Sequence, residues 1–337
     1  MYDCGEYTDL EGVSGSLGFA GEDCDLAVIR YSNSNEAVKT PGFMEARLSS
    51  RHKAVIAVYD PGVGGVEGLA VVNAQEFPSG GVGKPTLLLH SRHFETLSEA
   101  AEIHSQATVV VVMDEDIAET SNVEAEIAGT DPSLSPVLVL TPRSGWWSCA
   151  VERASSIAAF IEVIRAVAQC RPKRTVLFSA NTGHELGHTG VHHFHSERPD
   201  YAKNAHICVH FGASWASKHV KESDRVALVQ LADDQLEELA ENSFAEHGLV
   251  RERLEFVPGS TRPIGEAREL FDVGARYLSI IGLGIKEFHM EEDTESCLNL
   301  QLLCKLTEIA KAIVLQVSQD EGSEIAPKKQ KLMNSQL

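Results

Sequence analysis

The sequence has no long hydrophobic run, no excess of positive charge and no closely spaced cysteine pair. The lack of a run of about eighteen apolar residues argues against a membrane-spanning helix. The formal net charge of −20 at pH 7 argues against a nucleic-acid partner, because phosphate binding needs clustered Lys and Arg. The seven cysteines are scattered and form no C-x-x-C motif, which favours a reducing cytoplasm over a disulfide framework. The first residues do not resemble a signal peptide, so we predict a cytoplasmic protein, and the abrupt start also fits missing upstream sequence.

The length of the chain and the order of its predicted elements indicate two folded domains and a tail. The chain has 337 residues, of which 43% are hydrophobic, as is typical of an ordinary globular protein. Residues 1–118 contain glycine-rich turns and read as a small, β-rich α/β domain. Strands and helices alternate over 119–319, which predicts an α/β domain with a largely parallel sheet covered on both faces. The polar segment 320–337 is predicted to be a disordered tail.

Hydrophobic periodicity predicts the individual elements. The predicted strands are Ala54–Tyr59, Gly68–Asn73, Pro85–His90, Thr108–Met113, Val123–Ile127, Val137–Leu140, Thr175–Ala180, His206–Phe211, Val226–Leu231, Leu254–Val257 and Tyr277–Ile281. The predicted helices are Phe94–His104, Ala154–Cys170, Glu185–His195, Asp234–Gly248, Gly265–Asp272 and Thr294–Ser318.

The most informative motif is His184-Glu185-Leu186-Gly187-His188, which follows a predicted strand. As a bare pattern it is H-E-x-x-H, the helix that gives a zinc protease two ligands and a base. That interpretation needs a helix already running before His184, whereas Asn181-Thr182-Gly183 breaks structure there. The context favours a strand-to-helix junction, with His184 and Glu185 at the carboxyl edge of a sheet.

Four separated motifs resemble the zinc aminopeptidase superfamily, which includes bacterial leucyl aminopeptidases, glutamate carboxypeptidase and the transferrin receptor ectodomain. They are Ser121–Pro132, Glu152–Ala158, Gly183–Gly187 and Phe288–Thr294, in the family's order, and the resemblance spans about residues 120–315. It implies a three-layer α/β/α sandwich with a mostly parallel mixed sheet. The first ~115 residues look like the protease-associated domain that several members carry before this point.

The resemblance implies metal-ligand positions, and only some of them keep a ligand. Glu152 falls at the metal-bridging aspartate, Glu185 at a glutamate ligand and His289 at the final histidine ligand. The family's H-x-D-S motif reads Thr141-Pro142-Arg143-Ser144, so that histidine and aspartate are both replaced. The next acidic ligand is missing too, although His210 stands close to its place.

The remaining groups predict an altered metal site. Three ligands can hold one zinc ion with an open position for water, whereas a dinuclear site needs about five ligand groups. We therefore predict one zinc ion on Glu152, Glu185 and His289, with His210 completing or substituting within the set. His184 replaces the family's general base, and an imidazole suits proton transfer at neutral pH.

Three residues near the predicted site are candidates for substrate binding. They are Arg143, Trp146 and Trp147, although aromatic side chains fill a core more often than they line a pocket. The predicted function is a divergent metal-dependent hydrolase that cleaves a peptide or other amide bond with metal-activated water. A protein partner for the N-terminal domain is a further prediction.

The alternative is a non-catalytic binding or interaction module with the same fold. Arg143 would repel a metal cation, and could instead pair with Glu152 or Glu185 in a buried ion-pair network. The fold would then persist without its chemistry. The position of the arginine guanidinium relative to Glu152 and Glu185 decides between the two.

Overall fold

The computed structural model describes residues 7–31, 42–48, 51–72, 83–112, 116–254 and 262–322, and they form two sheets. The five-stranded sheet has the order β4-β3-β2-β1-β5, and the seven-stranded sheet has the order β11-β10-β12-β9-β7-β8-β6. The strands are β1 Val13–Phe19, β2 Leu26–Tyr31, β3 Ala54–Tyr59, β4 Thr86–Leu89, β5 Gln106–Val109, β6 Val123–Ile127, β7 Val137–Pro142, β8 Val176–Asn181, β9 Ile207–Phe211, β10 Arg225–Leu231, β11 Val250–Leu254 and β12 Tyr277–Gly282.

Within the described ranges, eight α-helices accompany the strands. They are α1 Phe43–Leu48, α2 Phe94–Glu102, α3 Ser155–Cys170, α4 Thr189–Glu197, α5 Tyr201–Asn204, α6 Gln235–Glu246, α7 Ala267–Asp272 and α8 Leu300–Gln319. No helix of the described ranges is both long and apolar enough to cross a membrane. We call β1–β5 with α1 and α2 the N-terminal unit, and β6–β12 with α3–α8 the C-terminal unit.

The C-terminal unit confirms the predicted three-layer architecture. Alternate residues of the central strands point to opposite faces of the sheet, because the side-chain period of a strand is two. Val137 and Val139 face one core, into which α3, α6 and α8 pack, whereas Leu138 and Leu140 face a second core covered by α4, α5 and α7. The strands β12, β9, β7 and β8 run parallel, whereas β6 pairs antiparallel with β8 and β10 pairs antiparallel with β12. The edge strand β11 pairs parallel with β10.

The N-terminal unit confirms the small α/β domain predicted before the sandwich. Its first four strands are parallel, and β5 closes the sheet as an antiparallel edge. One face packs against α2 through residues such as Leu26, Val28 and Ala101. The other face packs against α1 and also contains Met290, a residue from the C-terminal part of the chain.

Several predicted elements differ from the observed ones. The strands β1 and β2 and the short helices α1 and α5 were not predicted. No strand forms over 68–72, and Asn73 lies outside the described residues. The predicted strand at Leu254–Val257 is displaced, since β11 ends at Leu254 and the next residues lie outside the described ranges. The predicted tail, 320–337, is described only at 320–322.

The predicted helix Glu185–His195 was wrong at its start, with consequences for the H-E-x-x-H interpretation. His184–Leu186 is a single 3-10 turn, and α4 begins only at Thr189. Gly187 and His188 between them have left-handed backbone conformations, at φ +80° and +60°. The two histidines therefore do not share the face of one helix, which the zinc-protease arrangement requires.

Candidate active site

The candidate site lies at the carboxyl edge of the central strands, where loops after β7 and β8 bring two carboxylates together. Glu152 sits in a π-helical turn, Ala150–Ala154, that leads into α3. Glu185 sits in the 3-10 turn after β8, which starts from Gly183 in the left-handed conformation, at φ +64°. A Cβ at Gly183 would overlap with Thr189 Oγ1, so this tight strand-to-helix turn requires glycine. Both carboxylates are buried.

Asp293 anchors the turn that carries Glu152. Its two carboxylate oxygens accept hydrogen bonds from the backbone N–H groups of Val151 and Glu152, at 2.8 and 2.9 Å. These N–H groups belong to the first turn of a helix and have no partner within it. Burial raises the pKa of Asp293 to about 6, although the two backbone bonds act in the opposite direction. Asp293 lies in the motif Phe288–Thr294, in which only His289 was predicted to have a role.

Arg153 occupies the position between the two carboxylates. Its Nη2 atom lies 3.0 Å from Glu152 Oε1 and 2.8 Å from Glu185 Oε1. Its Nε–H also donates to the carbonyl of Ser144, at 2.8 Å. The arginine is 3% exposed, so these interactions form away from water. The non-catalytic alternative gave this role to Arg143, but Arg143 donates to the carbonyl of Ser121 instead.

The guanidinium controls the ionisation of both acids. Burial alone would raise the pKa of Glu152, but the charges of Arg153 and His289 outweigh it and hold the pKa at about 2. The same balance lowers the pKa of Glu185, where burial is again outweighed, mainly by Arg153. Burial would lower the pKa of Arg153, yet the two carboxylates raise it. The two carboxylates and the guanidinium therefore form a buried ion-pair triad.

His289 contacts Glu152 from the opposite side. Its Nε2 atom lies 3.4 Å from Glu152 Oε1, and its backbone N–H donates to Glu152 Oε2 at 3.2 Å. Its Nδ1–H donates to the carbonyl of Val71 in the N-terminal unit, at 2.9 Å. Within the described structure, neither His289 Nε2 nor Glu152 Oε1 has a hydrogen-bond partner of its own. His289 is fully buried.

His184, the predicted proton carrier, is paired with a carboxylate that the sequence analysis missed. Its Nδ1 atom lies 3.2 Å from Glu266 Oε1, and its backbone N–H donates to Ser144 Oγ at 3.0 Å. Burial lowers the pKa of His184 well below its ordinary value, and the charges of Arg153 and His188 lower it further. His184 is therefore neutral at physiological pH.

The other two histidines of this edge have separate partners. His210 Nδ1 lies 2.8 Å from Ser279 Oγ, and burial lowers the pKa of His210 to about 4. His188 Nδ1 lies 3.0 Å from Glu269 Oε1, and its ring lies 4.6 Å from that of His184 between centroids. Burial would raise the pKa of Glu269, but its bond with His188 brings the pKa down to about 2. These imidazoles form a polar cluster on the Glu266 side of the centre.

The predicted substrate-binding residues lie at the rim or outside the centre. The Nε–H of Arg143 donates to the carbonyl of Ser121 at 3.0 Å, so this guanidinium is directed away from the two acids. Trp146 is half-buried, and its carbonyl accepts from the Cys149 thiol. Trp147 is 46% exposed and has a left-handed backbone conformation, at φ +50°. Of the three, Trp147 is the one that offers a free aromatic surface.

The donor set does not fit the metal ions of a dinuclear zinc site. Within the described residues, Glu152, Glu185 and His289 do not place their ligand atoms within 4.8 Å of one another, as the ligands of one ion must. The family's histidine position holds Thr141, whose hydroxyl donates to the carbonyl of Phe211 at 2.9 Å. Arg153 supplies the positive charge that an ion would bring to the same oxygens.

One other group meets the distance requirement, namely Cys149, Glu152 and Asp293. Its oxygens are already used, because Asp293 accepts two backbone N–H groups and Glu152 Oε2 accepts the backbone N–H of His289. Burial and the charge of Glu152 raise the pKa of Cys149, so the thiolate that a metal needs is disfavoured. This group therefore holds the turn of Glu152 in place through Asp293.

Comparison with known proteins identifies the fold. Residues 122–240 match the family model described as Peptidase family M28. The zinc aminopeptidase BSAP from Bacillus subtilis superposes with a TM-score of 0.68 at 14% identity, over 95% of this chain and 79% of that chain. The aminopeptidase from Aneurinibacillus sp. strain AM-1 gives a TM-score of 0.62 at 15% identity, over 96% and 78%. A peptidase M28 precursor from Shewanella amazonensis gives 0.64 at 12%, over 95% and 77%.

A search of curated proteins finds no match. The family match covers residues 122–240, and the aminopeptidase neighbours, at 14% and 15% identity, show the fold. The predicted resemblance is thereby confirmed: residues 122–240 are similar to the peptidase family M28, and the fold is like that of the zinc aminopeptidase BSAP.

Proposed function

We propose that this chain is a non-catalytic relative of the zinc aminopeptidases, in which Arg153 takes the place of the metal and the fold serves as a peptide-binding module. The observation that carries the proposal is the position of one guanidinium nitrogen, within 3.0 Å of Glu152 Oε1 and 2.8 Å of Glu185 Oε1. These are the carboxylates that the family resemblance assigns to the metal. Arginine and metal compete for the same oxygens.

Electrostatics makes the competition strongly one-sided. A buried carboxylate must be paired, and Arg153 pairs with two of them at once while its Nε–H is satisfied by the Ser144 carbonyl. A divalent ion on the same oxygens would lie within a few ångströms of the guanidinium, in surroundings where like charges repel more strongly than in water. Binding an ion therefore requires Arg153 to leave a site in which it is 3% exposed.

Two features support the peptide-binding part of the proposal, namely the fold and the exposed apolar side chains on the loops around the site. Ligands of open α/β sheets bind at the carboxyl ends of the strands, the edge where this centre lies. Two large apolar side chains are exposed on the loops after β7 and β8, Trp147 at 46% and Leu186 at 38%. The related structures are peptidases, so a peptide or small amide is the proposed ligand. The protease-associated character of residues 1–118, their role in partner binding and a cytoplasmic location belong to the same proposal.

Metal analysis and a peptidase assay on the purified full chain test the proposal. We expect less than about a tenth of an equivalent of zinc after equilibration with the ion, and no cleavage of aminoacyl chromogenic amides. Arg153→Ala should gain zinc affinity, whereas the matched change Arg143→Ala should not. A full equivalent of zinc on the unchanged protein, together with amide cleavage, would exclude the proposal.

A second candidate is the divergent hydrolase that cleaves a peptide or other amide and keeps one zinc ion. It is favoured by one observation: Glu152 Oε1 and His289 Nε2 face each other at 3.4 Å, and neither makes a hydrogen bond in the described structure, although Oε1 is in ion-pair contact with Arg153. Buried polar atoms without partners are rare and call for an explanation. This candidate predicts that Glu152→Gln and His289→Asn each abolish zinc binding and amide cleavage in the protein with Arg153 intact.

A further inference from the structure

We infer that the N-terminal unit positions the candidate active site of the C-terminal unit. The backbone of Val71 orients the ring of His289, and with it the Nε2 atom that faces Glu152. The inference rests on the proposed function in one respect, because both concern the centre formed by Glu152, Glu185 and Arg153. It adds that the N-terminal unit controls this centre through direct contacts.

The contact between the two residues is reciprocal. The backbone N–H of Val71 donates to the carbonyl of His289 at 3.0 Å, and His289 Nδ1 lies 2.9 Å from the carbonyl of Val71. Because a carbonyl only accepts, Nδ1 must carry a hydrogen. The bond therefore fixes both the tautomer and the ring orientation, and it directs Nε2 towards Glu152 Oε1 at 3.4 Å.

Side-chain packing fixes the same loop to the N-terminal unit. Met290 is 1% exposed and belongs to the core of that unit, together with Tyr31, Phe43 and Val72. A Cβ at Gly68 would overlap with Met290 Cε, so the loop packs closely against a residue without a side chain. Lys286 Nζ adds a hydrogen bond to the carbonyl of Gly64, at 2.6 Å. The loop is therefore held on the N-terminal unit from Lys286 to Met290.

The far end of the loop holds the turn that carries Glu152. Asp293 is three residues beyond Met290 and accepts the backbone N–H groups of Val151 and Glu152. Val71 is thus linked to Glu152 through His289, and the same loop reaches the turn of Glu152 a second time through Asp293. Coupling through packed, hydrogen-bonded groups of this kind needs only a small displacement at one end.

Histidine-selective ¹⁵N NMR of the full chain tests the inference. The first requirement is that the wild-type spectrum shows the hydrogen of His289 on Nδ1. Two variants remove the same side-chain atoms from the two cores of the N-terminal unit. Val72→Ala changes the core that contains Met290, and Val28→Ala changes the core on the other face of the sheet. Both valines are 1% exposed.

Val72→Ala should shift the Nε2 resonance of His289, whereas Val28→Ala should leave it in place, and the signals of His184 and His210 should not move in either variant. If Val72→Ala does not fold, Gly68→Ala serves as the replacement variant. The side-chain atoms that its added Cβ would meet are the flexible ends of Met290 and Glu292. Equal shifts in both valine variants, no shift in either, or a wild-type His289 with its hydrogen on Nε2 alone would overturn the inference. None of these outcomes bears on zinc content or amide cleavage, which test the proposed function separately.

Discussion

Arg153 Nη2 lies 2.8 Å from Glu185 Oε1, although the two residues are 32 positions apart in the chain. The contact forms because the turn after β8 and the π-helical turn before α3 meet at the same edge of the sheet. Its partner on the other side, Glu152, is the preceding residue in the sequence. The guanidinium of Arg153 therefore pairs with one glutamate that is its neighbour in the sequence, Glu152, and with another, Glu185, that only the fold brings close.

Removing the arginine should leave two buried carboxylates without a counter-charge. We expect Arg153→Ala to lower the free energy of unfolding by about 3–5 kcal/mol, the usual cost of breaking a buried ion pair. Arg143→Ala is the matched control and should cost less than about 1 kcal/mol, because Arg143 contacts the Ser121 carbonyl. Urea unfolding at neutral pH measures both values. A cost for Arg153→Ala no larger than that of the control would contradict the ion-pair triad.

Reconstructing the family's ligands should restore zinc binding only when Arg153 is also removed. The double variant Thr141→His, His210→Asp supplies the two missing ligand types but keeps the guanidinium between Glu152 and Glu185. We expect it to bind no zinc, whereas adding Arg153→Ala should give a zinc-loaded protein with a raised melting temperature. Calorimetric titration with zinc compares the two. Zinc uptake by the double variant would show that the arginine does not exclude the metal.

His210 should make the protein sensitive to mild acid. Burial lowers the pKa of His210 from 6.5 to about 4, so the unfolded chain binds its proton more tightly than the folded one. The stabilising contribution is complete above about pH 6.5 and is lost as the pH falls towards 4. This loss amounts to roughly 3 kcal/mol of the free energy of unfolding, and we expect it to be absent in His210→Asn. The difference in the free energy of unfolding between wild type and variant should therefore change by about 3 kcal/mol between pH 6.5 and 4.

Unfolding free energies measured at several pH values between 4 and 7 provide the test. Two other groups titrate nearby, since the pKa of His184 is lowered and that of Asp293 is raised to about 6. Both are present in wild type and variant, so their contributions largely cancel in the difference. A difference that stays constant with pH would mean that His210 does not resist protonation in the folded state.

Asp293 should contribute to stability through the start of the π-helical turn. Asp293→Ala removes the acceptor of two buried backbone N–H groups, and we expect a loss of about 2–3 kcal/mol. Asp9→Ala is a suitable control, since Asp9 also accepts two backbone N–H groups but is exposed, and it should cost less than about 1 kcal/mol. Thermal unfolding of the two variants compares them. Equal losses would mean that the buried cap carries no extra stability.

The sequence predicted the C-terminal sheet better than the N-terminal one, for reasons visible in single strands. In the C-terminal sheet, Val123–Ile127 was predicted with the observed limits, and in the N-terminal sheet Ala54–Tyr59 was, because β-branched and apolar residues mark both segments. The strand Val13–Phe19 contains Gly15, Gly18 and two serines, which are depleted in strands, so its pattern gives little signal. The apolar strand Leu26–Tyr31 was missed despite a clear pattern.

At the site, the sequence predicted residue types but not their partners. Glu152, Glu185 and His289 could be placed at one edge because each follows a strand end or a family motif. Arg153 gave no such signal, since an arginine beside a glutamate is typical of a solvated helix face. Its burial depends on Ser144 and Glu185, which only the folded loops bring near. Glu266 was missed for the same reason, because its contact with His184 spans 82 positions.

The placement of Met290 has a practical consequence for anyone who divides this chain at the predicted boundary between 118 and 119. A recombinant fragment ending there would lack the methionine that completes its own core, and would expose the apolar side chains around it to water. The complementary fragment would carry that methionine on its surface and lose the backbone acceptor of His289. Each half would be prone to aggregation, so the two parts should be produced and studied as one polypeptide.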